Sequence, residues 1–294
     1  MEYKLTAYSI YEIGKRTDAS GNPHQEDCIF PLCSEISGNS RIFILCDGMG
    51  GHDAGEIASS VVCESLGKSI RSILNANPVF SKPELKQALS VAYDALDAND
   101  TGSSKKMGTT LAMVVFHRQG VMVAHIGDSR VYHIRTGNSE NDTEILFQTE
   151  DHSLLNSLVK AGEISPEEAK QSVKKNIITR AMQPNADRPE ADVTEISDIQ
   201  PGDWFYICSD GMLEQEEMED GSAIKRIFSN QVADDEKVRI LRGATSENQD
   251  NHSAIVIKVN SVSYYHVRTL NLNENNQSQN VWGIIKAFFK SYHK

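Results

Sequence analysis

A layered α+β fold is what this sequence predicts, and two observations carry the prediction. Short runs rich in β-branched and aromatic residues fall in groups along the chain, and two long helical patterns stand between the first of those runs and the next. Strand groups interrupted by paired helices point to layers of sheet and helix and away from an alternating βαβ order. The 294 residues contain no internal repeat, and a chain of that length buries a substantial core as one large domain or two ordinary ones.

Taken in order, "RIFILC" at residues 41–46 reads as a strand that delivers Asp47 into a glycine-rich turn. A helix follows, with Ile57, Ala58, Val61, Val62, Leu66, Ile70, Ile73 and Leu74 near helical spacing. The second helix opens at "SKPE", a capping-box pattern from Ser81 to Glu84, and continues through Leu85, Leu89, Ala92 and Leu96. "TLAMVVFHRQGVMVAHI" reads as a β-hairpin, and "VYHIR", "DWFYIC" and "SAIVIKV" as further strands. These elements assign residues 1–260 to one body and 261–294 to a tail.

After Val259 comes the polar, asparagine-rich "NSVSYYHVRTLNLNENNQSQN", and the chain ends in "VWGIIKAFFKSYHK". On a helix, Val281, Trp282, Ile284, Ile285, Phe288, Phe289 and Tyr292 fall within an arc of roughly 160°, with Lys286, Lys290 and Lys294 opposite. Such a basic amphipathic helix has three open readings: it packs on the chain's own body, docks to a partner, or lies on an anionic membrane surface.

Charge and composition narrow the function. Lys and Arg number 29 against 41 Asp and Glu, a net charge of -12, which argues against nonspecific nucleic-acid binding. The opening "MEYKLTAYSIYEIG" has no basic n-region followed by an apolar h-region, and no apolar run is long enough to span a bilayer, so a cytoplasmic protein is expected. Five cysteines without a C-x-x-C pair read as reduced core thiols.

The chemistry lies in acids beside strand ends. Asp47 follows "FILC", Asp128 lies in "AHIGDSRVY", Asp210 in "FYICSDGML" and Asp250 in "SENQDNHSAIVI". Any one of these is ordinary turn punctuation. A carboxylate at the buried end of a strand, however, costs several kcal/mol unless something pairs it, and a metal ion is such a partner. With "QED" at Gln25 to Asp27, the set is rich in hard oxygen donors and lacks a converging Cys/His cluster, which suits Mg²⁺ or Mn²⁺ better than zinc.

The ordered series "QED", "CDGMGGHDAGEIAS", "MGTTLAMVVF", "AHIGDSRVYHIR", "TEDHSLL", "IITRAM", "CSDGML" and "DNHSAIVI" resembles the metal-dependent protein serine/threonine phosphatases, the PPM or type 2C family, in its bacterial form, from about Tyr8 to Val259. The resemblance implies a four-layer αββα sandwich, two antiparallel β-sheets flanked by helix pairs, with metals at one end. It implies hydrolysis of phosphoserine and phosphothreonine by a hydroxide bridging two Mn²⁺ or Mg²⁺ ions, on phosphorylated proteins and opposite a serine/threonine kinase in signal transduction. By the same resemblance, Asp47 bridges both metals, the Gly48 carbonyl ligates one, Asp210 and Asp250 hold the other, and Glu26 and Asp27 act through the metals' water shell. Asp128 resembles the residue that holds a third, weaker metal, with Asp210.

Three positions depart from the family pattern. Asn22 stands where relatives carry a phosphate-gripping arginine, and Arg16 takes that role if "TDASGNPH" loops out. Met49 stands where animal relatives place a histidine acid, with His52 nearby. "SVKKN" replaces the usual H-P-x-x-N near the helical flap. "GTT" at 108–110 and "TR" at 179–180 read as supports for the ligands. Two other classes remain open: a catalytically silent regulatory or binding module, and a metal-dependent phosphoesterase acting on non-protein substrates.

Overall fold

The computed structural model describes the chain except residues 16, 18–20, 51–52, 101, 103–106, 173–176 and 265–294. In chain order its elements are β1 (Glu2–Glu12), β2 (Asp27–Phe30), β3 (Ile42–Met49), α1 (Asp53–Ala76), α2 (Lys82–Ala98), β4 (Gly108–Thr109), β5 (Leu111–His117), β6 (Gly120–Ile126), β7 (Arg130–Arg135), β8 (Glu144–Gln148), α3 (Leu154–Lys160), α4 (Pro166–Gln171), β9 (Asp192–Ile196), β10 (Trp204–Cys208), α5 (Glu216–Glu219), α6 (Ser222–Phe228), α7 (Asp234–Thr245) and β11 (His252–Ser263). One compact unit spans Met1–Ser263. The predicted C-terminal helix lies outside the described residues.

The strands form two sheets, one in the order β1-β11-β10-β7-β8, the other β2-β3-β5-β6-β9 with β4 added beside β3. Their pairings are antiparallel. The runs that looked uniformly apolar in the sequence are strands buried on both faces. In β3, Phe43 and Leu45 point between the sheets, whereas Ile42, Ile44 and Cys46 point to α1 and α2. In β10, Phe205 and Ile207 face the other sheet, and Trp204, Tyr206 and Cys208 face α6 and α7. Period-two alternation thus builds three stacked cores, and the expected four-layer αββα sandwich is the observed one.

Aromatic contacts tie the sheets together. Phe116 meets Tyr3 and Phe205 of the other sheet edge-on, at ring separations of 5.1 and 5.3 Å, and each such pair contributes about 0.5–1.5 kcal/mol beyond the area it buries. Helix α2 begins as its capping box predicts: Ser81 N–H donates to the Glu84 carboxylate at 3.1 Å. Along it Leu85, Ala88, Leu89, Ala92, Tyr93 and Leu96 are buried. The five cysteines are free; Cys46, Cys63 and Cys208 are buried as expected, Cys28 is half-buried, and Cys33 is exposed because it sits in the loop after β2.

Antiparallel pairing also sets where the acids go. Asp27 opens β2 and is the register partner of Asp47 near the end of β3. Asp128 lies in the β6–β7 turn, Asp210 stands two residues past the end of β10, and Asp250 two residues before the start of β11. The end of β10 pairs with the starts of β7 and β11, so those three acids share one end of their sheet. Ser209, which follows β10, donates to Asp27 Oδ2 at 3.0 Å and joins that end to the rim of the other sheet.

Candidate metal centre

Seven predicted positions, Glu26, Asp27, Asp47, Gly48, Asp128, Asp210 and Asp250, therefore meet at one end of the sandwich, delivered by six strands. Backbone and hydroxyl contacts fix each loop. Asp47 N–H donates to Thr110 Oγ1 at 3.0 Å, and Thr109 Oγ1 donates to the Asp47 carbonyl at 2.9 Å. Glu26 N–H donates to Asn251 Oδ1 at 2.7 Å while Asn251 Nδ2 donates to the His24 carbonyl at 2.9 Å, so one amide staples the "QED" loop to the Asp250 loop. Glu214 receives the N–H groups of Gln249 and Asp250, the latter at 2.8 Å. Asp27 N–H donates to Gln25 Oε1 at 3.0 Å.

The electrostatics of this rim are unfavourable as it stands. Burial, and then the charges of Asp27, Asp210, Asp128 and Asp250, hold the Asp47 carboxyl well above the usual carboxylate range. Asp27, only 2% exposed, is pushed up to about 7, first by burial and then by Asp210 and Asp250, against the lowering effect of serine hydroxyls. Asp128 is also pushed up to about 7, by burial and by Asp210 and Asp151. Asp27 Oδ1 and Asp128 Oδ1 are buried oxygens with no hydrogen-bond partner among the described residues. A cluster of like charges with orphaned hard oxygens fits divalent cations, which remove the repulsion and satisfy the lone pairs together.

The profile of the family described as Protein phosphatase 2C matches residues 13–244. The chain belongs to this family. It is 34% identical over 238 residues to the serine/threonine phosphatase stp of Listeria welshimeri, covering 77% of this chain and 87% of that one. The Mycobacterium tuberculosis serine/threonine phosphatase PstP/Ppp superposes with a TM-score of 0.67 at 26% identity, covering 87% of this chain and 99% of the other. The PstP catalytic domain in complex with two manganese ions gives 0.64 at 26%, with 88% and 99% covered. This protein phosphatase 2C is thus a metal-dependent protein serine/threonine phosphatase.

Not every expectation about this phosphatase 2C falls on the described residues. Arg16, His52 and the "VKKN" of "SVKKN" lie outside them. Glycine at 48 has a reason besides approach to an ion: a Cβ there would lie 2.2 Å from the Gly55 carbonyl oxygen and 2.6 Å from that of Glu26. "GTT" does support Asp47, but "TR" reaches other partners: Thr179 N–H donates to the His152 carbonyl at 2.8 Å, and Arg180 Nη1 to Asp192 Oδ1 at 2.9 Å. Asn251, Glu214 and Ser209 went unsingled in the sequence, although each lies within four residues of a predicted acid.

The fold also assembles a cluster that sequence spacing does not announce. A ring nitrogen from His125, one from His152 and an Asp192 oxygen lie within 4.8 Å of one another. β6–β9 pairing sets His125 opposite Asp192, and the His152 ring stacks on that of His125 at 4.5 Å. Arg180 already neutralises the carboxylate, and His152 Nδ1 accepts the Gly127 N–H at 3.0 Å, which leaves the proton on Nε2, facing Asp192. A protonated nitrogen and an occupied carboxylate make this a hydrogen-bonded chain, unlike the cation cradle on the acidic rim.

Proposed function

We propose that the acidic rim is the catalytic centre of this serine/threonine phosphatase and that it holds two Mn²⁺ or Mg²⁺ ions, with a third, weaker one beside Asp128. Asp47 would contact both ions, the Gly48 carbonyl one, and Asp210 and Asp250 the other; Glu26 and Asp27 would orient their water, and Asp128 with Asp210 would hold the third. The observation that carries this reading is the mutual repulsion of Asp27, Asp47 and Asp128 at one strand-end rim, with an orphaned oxygen on two of them.

Bound cations supply an activated water and offset the charge of the phosphate. The protein's own residues do the remainder. The carboxylates fix direction, since Asp47 is tied at its N–H and carbonyl to the threonines of "GTT". Arg16 grips the phosphate with a planar fork matched to two oxygens. Met49 has no proton to give, so the leaving serine or threonine oxygen draws its proton from solvent at the centre.

Phosphorylated proteins in the cytoplasm, opposite a serine/threonine kinase, are the proposed substrates. No helix among the described residues is long and apolar enough to cross a membrane. Residues 261–294 carry four Lys or Arg against one Glu, which leaves a strongly acidic body that disfavours nucleic acid. The tail helix is proposed to dock on its own body, a partner or a membrane surface.

Phosphate release from p-nitrophenyl phosphate and from a phosphothreonine peptide, with manganese and with chelator, tests the centre. Turnover of both with manganese and of neither with chelator is expected; a well-folded protein inactive on both removes the reading. Arg16→Ala should raise KM about tenfold with kcat within about threefold of wild type, and unchanged kinetics would remove Arg16 from the site.

A further inference from the structure

Gly127 and Asp128 form the turn between β6 and β7, and two consecutive residues grip that turn from both sides. Arg130, just past the turn, donates to both carboxylate oxygens of Asp151, at 2.8 and 2.7 Å. Gly127 N–H donates to His152 Nδ1 at 3.0 Å, and His152 N–H donates back to the Gly127 carbonyl at 2.9 Å. Gly127 stands at a φ of +107°, and a Cβ there would lie 2.7 Å from Thr110 Cγ2, so the turn is confined to a shape that glycine alone adopts.

The imidazole is itself held. Its Nε2 lies 3.2 Å from Asp192 Oδ2, Arg180 anchors the other oxygen of that carboxylate at 2.9 Å, and the ring stacks on His125. His152 is 8% exposed, and burial lowers its pKa, which favours the neutral ring that can accept the Gly127 N–H. Asp128 Oδ1, in contrast, has no hydrogen-bond partner among the described residues. The backbone of the turn therefore sets where that carboxylate points.

We propose that His152 is a positioning residue for Asp128: the chain Arg180, Asp192, His152, Gly127 fixes the turn that aims this carboxylate at the weaker cation. The proposal rests on the reading of Asp128 given above. His152 acts through the backbone of the turn, so its removal should change the need for metal more than the chemistry.

The test compares His152→Leu, which deletes the acceptor, with His152→Asn, whose amide oxygen can stand near the place of Nδ1. The manganese concentration giving half-maximal p-nitrophenyl phosphate turnover is read alongside thermal melting. His152→Leu is expected to raise that concentration on the order of tenfold, the scale on which groups that orient a metal ligand act, and His152→Asn to bring it back within about threefold of wild type. A folded His152→Leu protein with wild-type manganese dependence overturns the proposal, as do leucine and asparagine variants equally impaired. Should the leucine variant fail to fold, Asp192→Asn, at a solvent-exposed position, is expected to raise the concentration about threefold, and wild-type dependence there overturns the proposal. Asp128→Asn separates the two levels: if it shifts the manganese dependence and the His152 variants do not, only the positioning role falls, whereas no shift in Asp128→Asn overturns the cation reading and the positioning role with it.

Discussion

Asp27 and Asp128 sit at about 7 in the folded chain, against about 4 for an aspartate in an unfolded one. Without cations the folded state thus holds protons that the unfolded state releases. The stability linked to these groups is fully present below about pH 4 and is lost as pH rises through about 7. Divalent ions compete with those protons, so manganese should raise the melting temperature more at about pH 8 than at about pH 6, relative to chelator. An equal or larger shift at the lower pH would contradict this. Asp47→Asn should melt higher than wild type in chelator, because it removes one of the repelling charges, and should lose turnover by at least about 100-fold. Sequence made the acids legible because each lies at or beside one end of a strand, next to a turn. It left Asn251, Glu214 and His152 silent, because their roles depend on contacts between segments far apart in the chain.

At the scale of elements, the central strands were the easiest to read and the outer ones the hardest. β5, β6 and β10 are buried along their whole length and appear as continuous apolar runs. β8 is a short edge strand whose exposed and half-buried residues alternate, with Leu146 40% exposed. The second helical layer hides for another reason: α7 buries Lys237 and Thr245 beside Leu241, so its inner face does not look apolar in sequence. These differences predict different costs. Phe116→Ala, at the centre of the inter-sheet aromatic cluster, should lower unfolding free energy by about 3–5 kcal/mol. Leu146→Ala on the edge should stay within about 0.5 kcal/mol. Urea denaturation of both variants checks the contrast, and similar costs would mean that the inter-sheet core does not carry the fold's stability.

For the whole molecule, the resemblance read in the sequence supplied the layer order, and pairing between distant strands supplied the rim. β11 continues to Ser263, with Ser261, Val262 and Ser263 opposite Lys4, Tyr3 and Glu2 of β1. A cut after Tyr264 should therefore keep kcat/KM within about twofold, since the seven described site positions precede it. A cut after Asn260 removes those three cross-strand pairs and should cost about 1–2 kcal/mol of stability. Thermal melting of the two truncations distinguishes them, and identical melting would show that this end of β11 contributes nothing.

The central claim is that acids from separate strand ends form one cage for divalent ions. Anomalous scattering from crystals grown with manganese tests it most directly. The account predicts two strong peaks roughly 4 Å apart, with Asp47 touching both and Asp210, Asp250 and the Gly48 carbonyl completing the first shells. Manganese bound elsewhere, or a rim that stays without manganese at saturating concentration, would contradict it.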